Sequence, residues 1–266
     1  MLYHDKIIMK DVILIKFGGS IITDKNVPYK ARPDVIRRLA QELKKIKDVS
    51  IVLSHGVGSF AHTSAKEFGG KKGYKSKWGI AKVARDAMEI NRIVMDILIE
   101  EGLPAVSLRP MSMIMASAGK LTKNLFEIVE EILSQGLMPV VYGDVIWDKK
   151  WKSTIYSGET TLNEIGIYLS KKGFKVDKII QVGETNGVYD NKGKTIPSIN
   201  KRSWKNIEQY VFSSKRADVT GAMKHKIENA LSISSKGIKT WIANGIVQNE
   251  FYRALQGKSI HGTIIQ

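Results

Sequence analysis

The chain of 266 residues contains no cysteine. That absence removes disulfides, thiolate metal sites and cysteine nucleophiles together, and it suits a reducing, cytoplasmic setting. Long apolar runs are missing too, so no membrane-spanning helix is expected. The opening MLYHDKIIMK has no apolar core and no small-residue cleavage site; it reads as a loose tail or an extra edge strand, not a secretory signal. Acidic residues are scarce: 26 Asp and Glu stand against 42 Lys and Arg, a formal net charge of +16. Such a balance fits an anionic partner, or a Lys-rich surface kept for solubility. Aromatic residues are not interleaved with the basic runs, so a nucleic-acid partner is not expected. The five histidines show no metal-ligand spacing, and no protein-held metal is expected.

What the chain does have is alternation. Short apolar runs at 12–17, 50–54, 104–108, 138–145, 178–183 and 239–243 read as strands. Helical spacing marks 33–47, 78–101, 121–136, 159–172, 220–235 and a short last helix at 248–256. Residues 145–156 read as a β-hairpin around Asp148-Lys149-Lys150, with Trp147 and Trp151 near a tip expected to close over ligands. The lysine-rich stretch 66–79 reads as a loop. This alternation predicts an α/β fold, a three-layer αβα sandwich with a largely parallel central sheet. One domain is expected, with lobes of roughly 11–175 and 176–266.

Three motifs could carry chemistry. Lys16-Phe17-Gly18-Gly19-Ser20 continues to Thr23-Asp24-Lys25; paired glycines let backbone amides approach a phosphate, and the two lysines add point charges. The bland alternative is a tight turn with solvated lysines. His55-Gly56-Val57-Gly58-Ser59-Phe60-Ala61-His62 formally contains G-x-G-x-x-A, but no acidic residue follows between Gly69 and Arg85 to hold a ribose, so a dinucleotide site is rejected. Its free amides at a helix start still suit an anion, with His62 as a donor. Third, Asp218-Val-Thr-Gly-Ala-Met-Lys-His-Lys226 opens a helix with cations, which oppose the macrodipole unless an anion lies between them. Thr220 as a plain N-cap is the simpler reading. No P-loop, protein-kinase, zincin or nucleophile-elbow sequence occurs.

Together with Tyr142-Gly-Asp-Val and Ser157-Gly158, these motifs resemble the amino acid kinase superfamily, and within it the archaeal isopentenyl phosphate kinases. The resemblance runs from about residue 12 to the end. It implies ATP-dependent phosphorylation of a small phosphomonoester, most simply isopentenyl phosphate, by a homodimer using ATP and Mg²⁺. It also implies roles. Lys16, Lys25, His62, Lys226 and Asp144 would be catalytic, with Asp144 orienting Lys16 or a metal-bound water. Gly18, Gly19, Gly187 and Lys224, with Lys16 and Lys226, would hold ATP. Gly56, Val57, Gly58, His62 and Gly158 would hold the acceptor. An isoprenoid tail would need an apolar slot along 78–101, from Ile80, Val83, Ala87, Met88, Ile90, Ile93 and Val94. The chain departs from the family pattern at Val57, Glu159, Thr160, Glu184, Asn186 and Ala222. Alternatives are a paralogue acting on another phosphate, a phosphonate or a carboxylate, and a non-catalytic phosphate sensor.

Overall fold

Residue identity along β1 (Asp11–Phe17) already dictates two-sided burial. Ile13, Ile15 and Phe17 pack into one apolar cluster and Val12 and Leu14 into another. A strand buried on both faces belongs at the centre of a layered α/β sheet. The computed structural model describes residues 11–70, 72–211 and 222–266. The expected tail or strand at 1–10 and the Asp218–Gly221 part of the third motif, Thr220 included, lie outside them.

From β1 the chain runs through α1 (Gly19–Ile22), α2 (Pro33–Lys44), β2 (Ser50–His55), α3 (Gly58–Phe68), β3 (Gly69–Gly70), β4 (Gly73–Tyr74) and α4 (Lys77–Glu100). It continues with β5 (Ala105–Ser107), α5 (Pro110–Met113), β6 (Ile114–Ser117), β7 (Lys120–Asn124), α6 (Glu127–Ser134), β8 (Met138–Tyr142), β9 (Asp144–Asp148), β10 (Lys152–Tyr156) and α7 (Gly158–Lys171). The remainder is β11 (Lys175–Gly183), β12 (Val188–Tyr189), β13 (Thr195–Ile196), β14 (Ser198–Ile199), α8 (Lys201–Val211), α9 (Ala222–Ser234), β15 (Lys239–Asn244), α10 (Glu250–Leu255) and β16 (Thr263–Ile265).

Eight strands form one sheet in the order β14-β16-β15-β11-β1-β2-β8-β5. Its pairings are parallel except between β15 and β16. α2, α4 and α10 cover one face of β1, and α6, α7 and α9 contribute to the cluster on the other. The result is the expected three-layer αβα sandwich. β1 pairs with β2 on one side and β11 on the other, so the sheet runs unbroken past residue 175. Because parallel strands end together, the glycine turns after β1 and β2 emerge side by side at their carboxyl ends, where open α/β sheets bind ligands.

The expected hairpin forms as β9 and β10. Buried Asp148 ties its turn by accepting backbone N–H bonds from Lys150 and Trp151, and from Ala118 and Gly119 of the adjacent β6–β7 turn. The helix expected over 121–136 is corrected: Lys120–Asn124 is a strand paired with β6, and only Glu127–Ser134 is helical. The cause is the tight turn at Ala118 (φ 51°) and Gly119 (φ 77°), which folds the segment back before a helix can start. The expected loop at 66–79 is also largely ordered: α3 reaches Phe68, β3 and β4 pair, and α4 starts at Lys77.

Candidate active site

The two glycine turns interlock backbone against backbone. Gly56 N–H donates to Phe17 O at 2.9 Å, and Gly18 N–H donates to Val182 O at 2.8 Å. A Cβ at Gly19 would stand 2.6 Å from Gly58 N, and one at Gly56 would stand 2.5 Å from Gly19 N. No side chain fits between the turns, so glycine is required for the approach itself. Buried Thr23 knits them further: its hydroxyl donates to Gly19 O at 2.7 Å and accepts from Ser59 N–H at 2.9 Å. A second crossing lies nearby, where Ser54 Oγ donates to Gly158 O at 2.8 Å and Gly143 N–H donates to His55 O at 3.1 Å. The amino ends of α3 and α7 therefore open beside one another, and their first-turn amides favour an anion.

Lys16 and Glu159 supply the fixed charge. Lys16 Nζ lies 3.3 Å from Glu159 Oε2, with side-chain exposures of 12% and 7%. Glu159 sits in the first turn of α7, capped by Ser157 Oγ accepting from Thr160 N–H, where a carboxylate is favoured by the helix dipole. Its other oxygen accepts from Asn229 Nδ2 of α9 at 3.3 Å. On that helix Asn229 shares a face with half-buried Lys226 three residues before it. Lys224 instead pairs with Glu208 of α8 at 2.6 Å and with Glu228 at 3.6 Å.

His62 is on α3, its ring reaching solvent from the wall of the cleft. Desolvation by the surrounding protein, then the charges of Lys66 and Lys16, hold its pKa below the ordinary histidine value. Lys16 is thus close enough for its charge to act on the ring. His55, by contrast, is buried, stacked on Tyr142 and hydrogen-bonded to Asn91 and the Gly56 carbonyl; burial lowers its pKa and it stays neutral. Val57 turns its side chain towards Gly143 and joins the apolar cluster of Ala61, Tyr142 and Val145.

The remaining expected residues lie further out. Lys25 is exposed and pairs with Glu184 at 3.1 Å, which also takes Arg32 at 2.8 Å. Asn186 accepts from Asn244 at 2.8 Å, and Gly187 (φ 84°) packs against Thr263. Asp144 is engaged by Arg109 and the Met111 backbone. It accepts from Met111 N–H at 3.2 Å and lies 3.4 Å from Arg109 Nε; burial raises its carboxyl to about 6, tempered by that guanidinium. The carboxylate that orients Lys16 is Glu159, with no role in the sequence reading beyond its departure from the family pattern. Its placement directly after the cap Ser157-Gly158 was the available signal. Thr23, Asn229 and Arg109 were missed as well. Among the described residues no cluster of three His, Asp or Glu side chains is arranged to hold a metal.

Beside the cleft, one face of α4 (Lys77, Ile80, Ala81, Ala84, Arg85, Met88) lines an open cavity of about 660 Å³ with Arg109, Met111 and Trp147. Of the helix residues expected to form a tail slot, Ile80 and Met88 line it, whereas Val83, Ala87, Ile90 and Val94 are buried in packed clusters.

Residues 11–244 match the model of the amino acid kinase family. The chain belongs to the amino acid kinase family. This amino acid kinase is 34% identical to the isopentenyl phosphate kinase of Methanocaldococcus jannaschii, across 95% of the chain and 97% of that protein. It is 31% identical to the isopentenyl phosphate kinase of Methanothermobacter thermautotrophicus, across 96% and 98%. A crystal structure of an isopentenyl phosphate kinase superimposes with a TM-score of 0.80 at 28% identity, covering 96% of this chain and all of that one. The three-layer architecture is that of the amino acid kinase fold.

Proposed function

We propose that this amino acid kinase transfers the γ-phosphoryl group of ATP to isopentenyl phosphate, yielding isopentenyl diphosphate and ADP. The observation that carries the reading is the interlock of the two glycine turns, which sets Lys16, the amino end of α3 with His62 on that helix, and the amino end of α7 beside one another. A phosphomonoester is largely a dianion at neutral pH, because its second pKa is about 6. Its oxygen needs no general base, and this cleft positions cations and amides instead. Val57 and Gly58 offer amides to the acceptor phosphate, Gly56 lets the turn approach it while its own N–H stays on Phe17 O, Gly158 closes its other side, and His62 donates to it. Gly18 and Gly19 face the ATP phosphates. Lys16, held by Glu159, and Lys226 neutralise charge developing on the transferred group. Lys25 and Lys224 serve the phosphates from the rim, and Gly187 shapes the nucleotide side. Mg²⁺ would enter with ATP and help to neutralise its phosphates, as is usual at sites built around substrate phosphates. Asp144 is a positioning residue for the acceptor wall. Residues 11–175 carry the acceptor side and 176–266 the nucleotide side. The working form is a cytoplasmic homodimer, and sedimentation as a monomer at micromolar concentration would contradict that part.

The test follows ADP release from ATP and Mg²⁺ with isopentenyl phosphate, a short phosphonate and N-acetylglutamate as acceptors. Turnover with isopentenyl phosphate is expected to exceed the others at least tenfold. Preferred use of the carboxylate would replace this reading with a carboxylate kinase, and ATP binding without turnover of any acceptor with a sensor.

A further inference from the structure

We propose that Gln181 is a positioning residue for phosphoryl transfer: its carbonyl takes hold of Lys16 as that ammonium turns from Glu159 towards the transferred group. The inference rests on the kinase reading above. It starts from the register of the sheet. Ser54 of β2, Lys16 of β1, Gln181 of β11 and Ile242 of β15 are successive partners across four parallel strands. Their side chains therefore form one row on one face. The row lies at the carboxyl ends, one or two residues before each strand stops. α7 and α9 cover that face. Val52, Leu14 and Ile179, each two residues before a row member, pack with Leu162 and Ile165 of α7. Ile242 packs with Ile227 and Ala230 of α9.

Two polar members of the row find partners on α7. Ser54 Oγ donates to Gly158 O at 2.8 Å, and Lys16 Nζ lies 3.3 Å from Glu159 Oε2. Gln181 is different. It is 5% exposed, and its Oε1 is buried with no hydrogen-bond partner among the described residues. A buried acceptor left unpaired is destabilising, and an apolar side chain would avoid that cost. Its row neighbours are apolar Ile242 on one side and Lys16 on the other, so the donor beside it is the ammonium. An ammonium has three N–H donors and no acceptor. Glu159 and a phosphoryl oxygen can engage two of them, and the Gln181 carbonyl stands in the row for the third. A neutral carbonyl aims the ammonium without cancelling its charge, which a carboxylate partner does in part. Asn229 of α9 donates to the other Glu159 oxygen at 3.3 Å, so that carboxylate keeps a partner when the lysine turns from it.

The experiment measures ADP release by the full chain with ATP, Mg²⁺ and isopentenyl phosphate, together with Tm, for the natural sequence, Gln181→Met and Gln181→Leu. Methionine keeps the length of the side chain and removes the carbonyl. Both variants should lower kcat by about 10- to 100-fold, the scale of a misplaced catalytic group, with either KM nearly constant. Their Tm should be unchanged or higher, because a buried unpaired acceptor has gone. In a Lys16→Ala background the same substitutions should add almost nothing, since Gln181 acts through that lysine. Unchanged kcat in both variants overturns the proposal and leaves the kinase reading standing. So does a loss confined to the KM for ATP, which would make Gln181 a ground-state nucleotide contact. A loss of full size in the Lys16→Ala background, or one that comes with a lowered Tm in both variants, overturns it as well. Absence of turnover by the natural sequence, with ATP still bound, overturns the kinase reading and this inference together.

Discussion

Lys16 and Lys25 flank the same glycine turn, yet they are different kinds of cation. Lys16 ends a central strand, is nearly buried and lies 3.3 Å from a buried carboxylate. Lys25 is 65% exposed on a loop and pairs with partly exposed Glu184. Held in a water-poor cleft, a charge acts on a transition state at full strength and pays no reorganisation when the reaction occurs. A solvated pair is worth about 0–1 kcal/mol and is screened by salt. Chemistry should therefore depend on the first lysine and merely be tuned by the second.

The sharpest way to break this contrast is Lys16→Ala. Its kcat should fall by about 100- to 1000-fold, the scale of a lost transition-state donor, with little change in either KM. Glu159→Gln keeps the acceptor oxygen for Asn229 but removes the charge that fixes Lys16, and kcat should fall about tenfold. Combined with Lys16→Ala it should add almost nothing, since both changes act through one contact. A fully additive double variant, or a Lys16→Ala effect confined to KM, would assign Lys16 to ground-state binding.

His62 sharpens the comparison from the acceptor side. In the free enzyme its pKa is lowered, so the ring is largely neutral at pH 7. A bound phosphate dianion favours the imidazolium, so the pKa must rise on binding, and by linkage the acceptor must bind more tightly as the ring takes up its proton. Titration followed by NMR should show His62 moving upward when the acceptor is added. His62→Ala should cost about 10- to 100-fold in acceptor kcat/KM, with His62→Gln in between and ATP affinity nearly constant. An unmoved titration, joined to a lower Tm in His62→Ala and intact kinetics, would make the residue structural.

What the sequence disclosed about these residues follows from distance along the chain. The glycine turns and His62 are local patterns, each complete within a few residues of a strand end, and they were legible. Glu159 was not, because its partner Lys16 is 143 residues away and only the sheet brings them together. The strands β1 and β2 were read correctly since apolar runs bounded by glycines leave few options. The strand at Lys120–Asn124 was read as helix because Leu121, Leu125 and Ile128 fit a helical period, while the turn that forces the hairpin uses Ala118, a residue that rarely adopts positive φ. The pairing of Asp144 with Arg109 rather than Lys16 was beyond reach for the same reason as Glu159: both belong to tertiary packing.

Lys25→Ala should be modest, about 2- to 3-fold in kcat/KM at low salt and less at high salt, because the charge it removes is solvated. Loss comparable to that of Lys16→Ala would show that Lys25 leaves Glu184 and enters the cleft during turnover.

The smallest effect tests how firmly the Lys25 loop is held. Tyr29 adopts φ 57°, packs its ring edge-on against Phe60 and donates its hydroxyl to Asp86 Oδ2 at 3.0 Å. Both carboxylate oxygens of Asp86 also accept from Lys82 Nζ at 2.7 Å. Burial pushes this carboxyl up, but the bonds from Lys82, Ser64, Tyr29 and Arg85 outweigh it and its pKa lies below the ordinary aspartate value. A carboxyl depressed in the folded state contributes stability that is present above the unfolded pKa of about 4 and is lost as pH falls through the lower folded value. Tyr29→Phe removes one donor and keeps the ring, so it should cost about 0.5–1.5 kcal/mol. Its Tm deficit should be clear at pH 7 and shrink on acidification below pH 4, as Asp86 protonates and the lost bond matters less. Because the Lys25 loop is tethered through this hydroxyl, acceptor kcat/KM should fall no further than it does in Lys25→Ala. A deficit that stays constant through pH 3 would show that the hydroxyl serves packing and solvation in place of the Asp86 charge, leaving the Lys25 loop anchored by the Phe60 contact and the Thr23–Ala31 bridge.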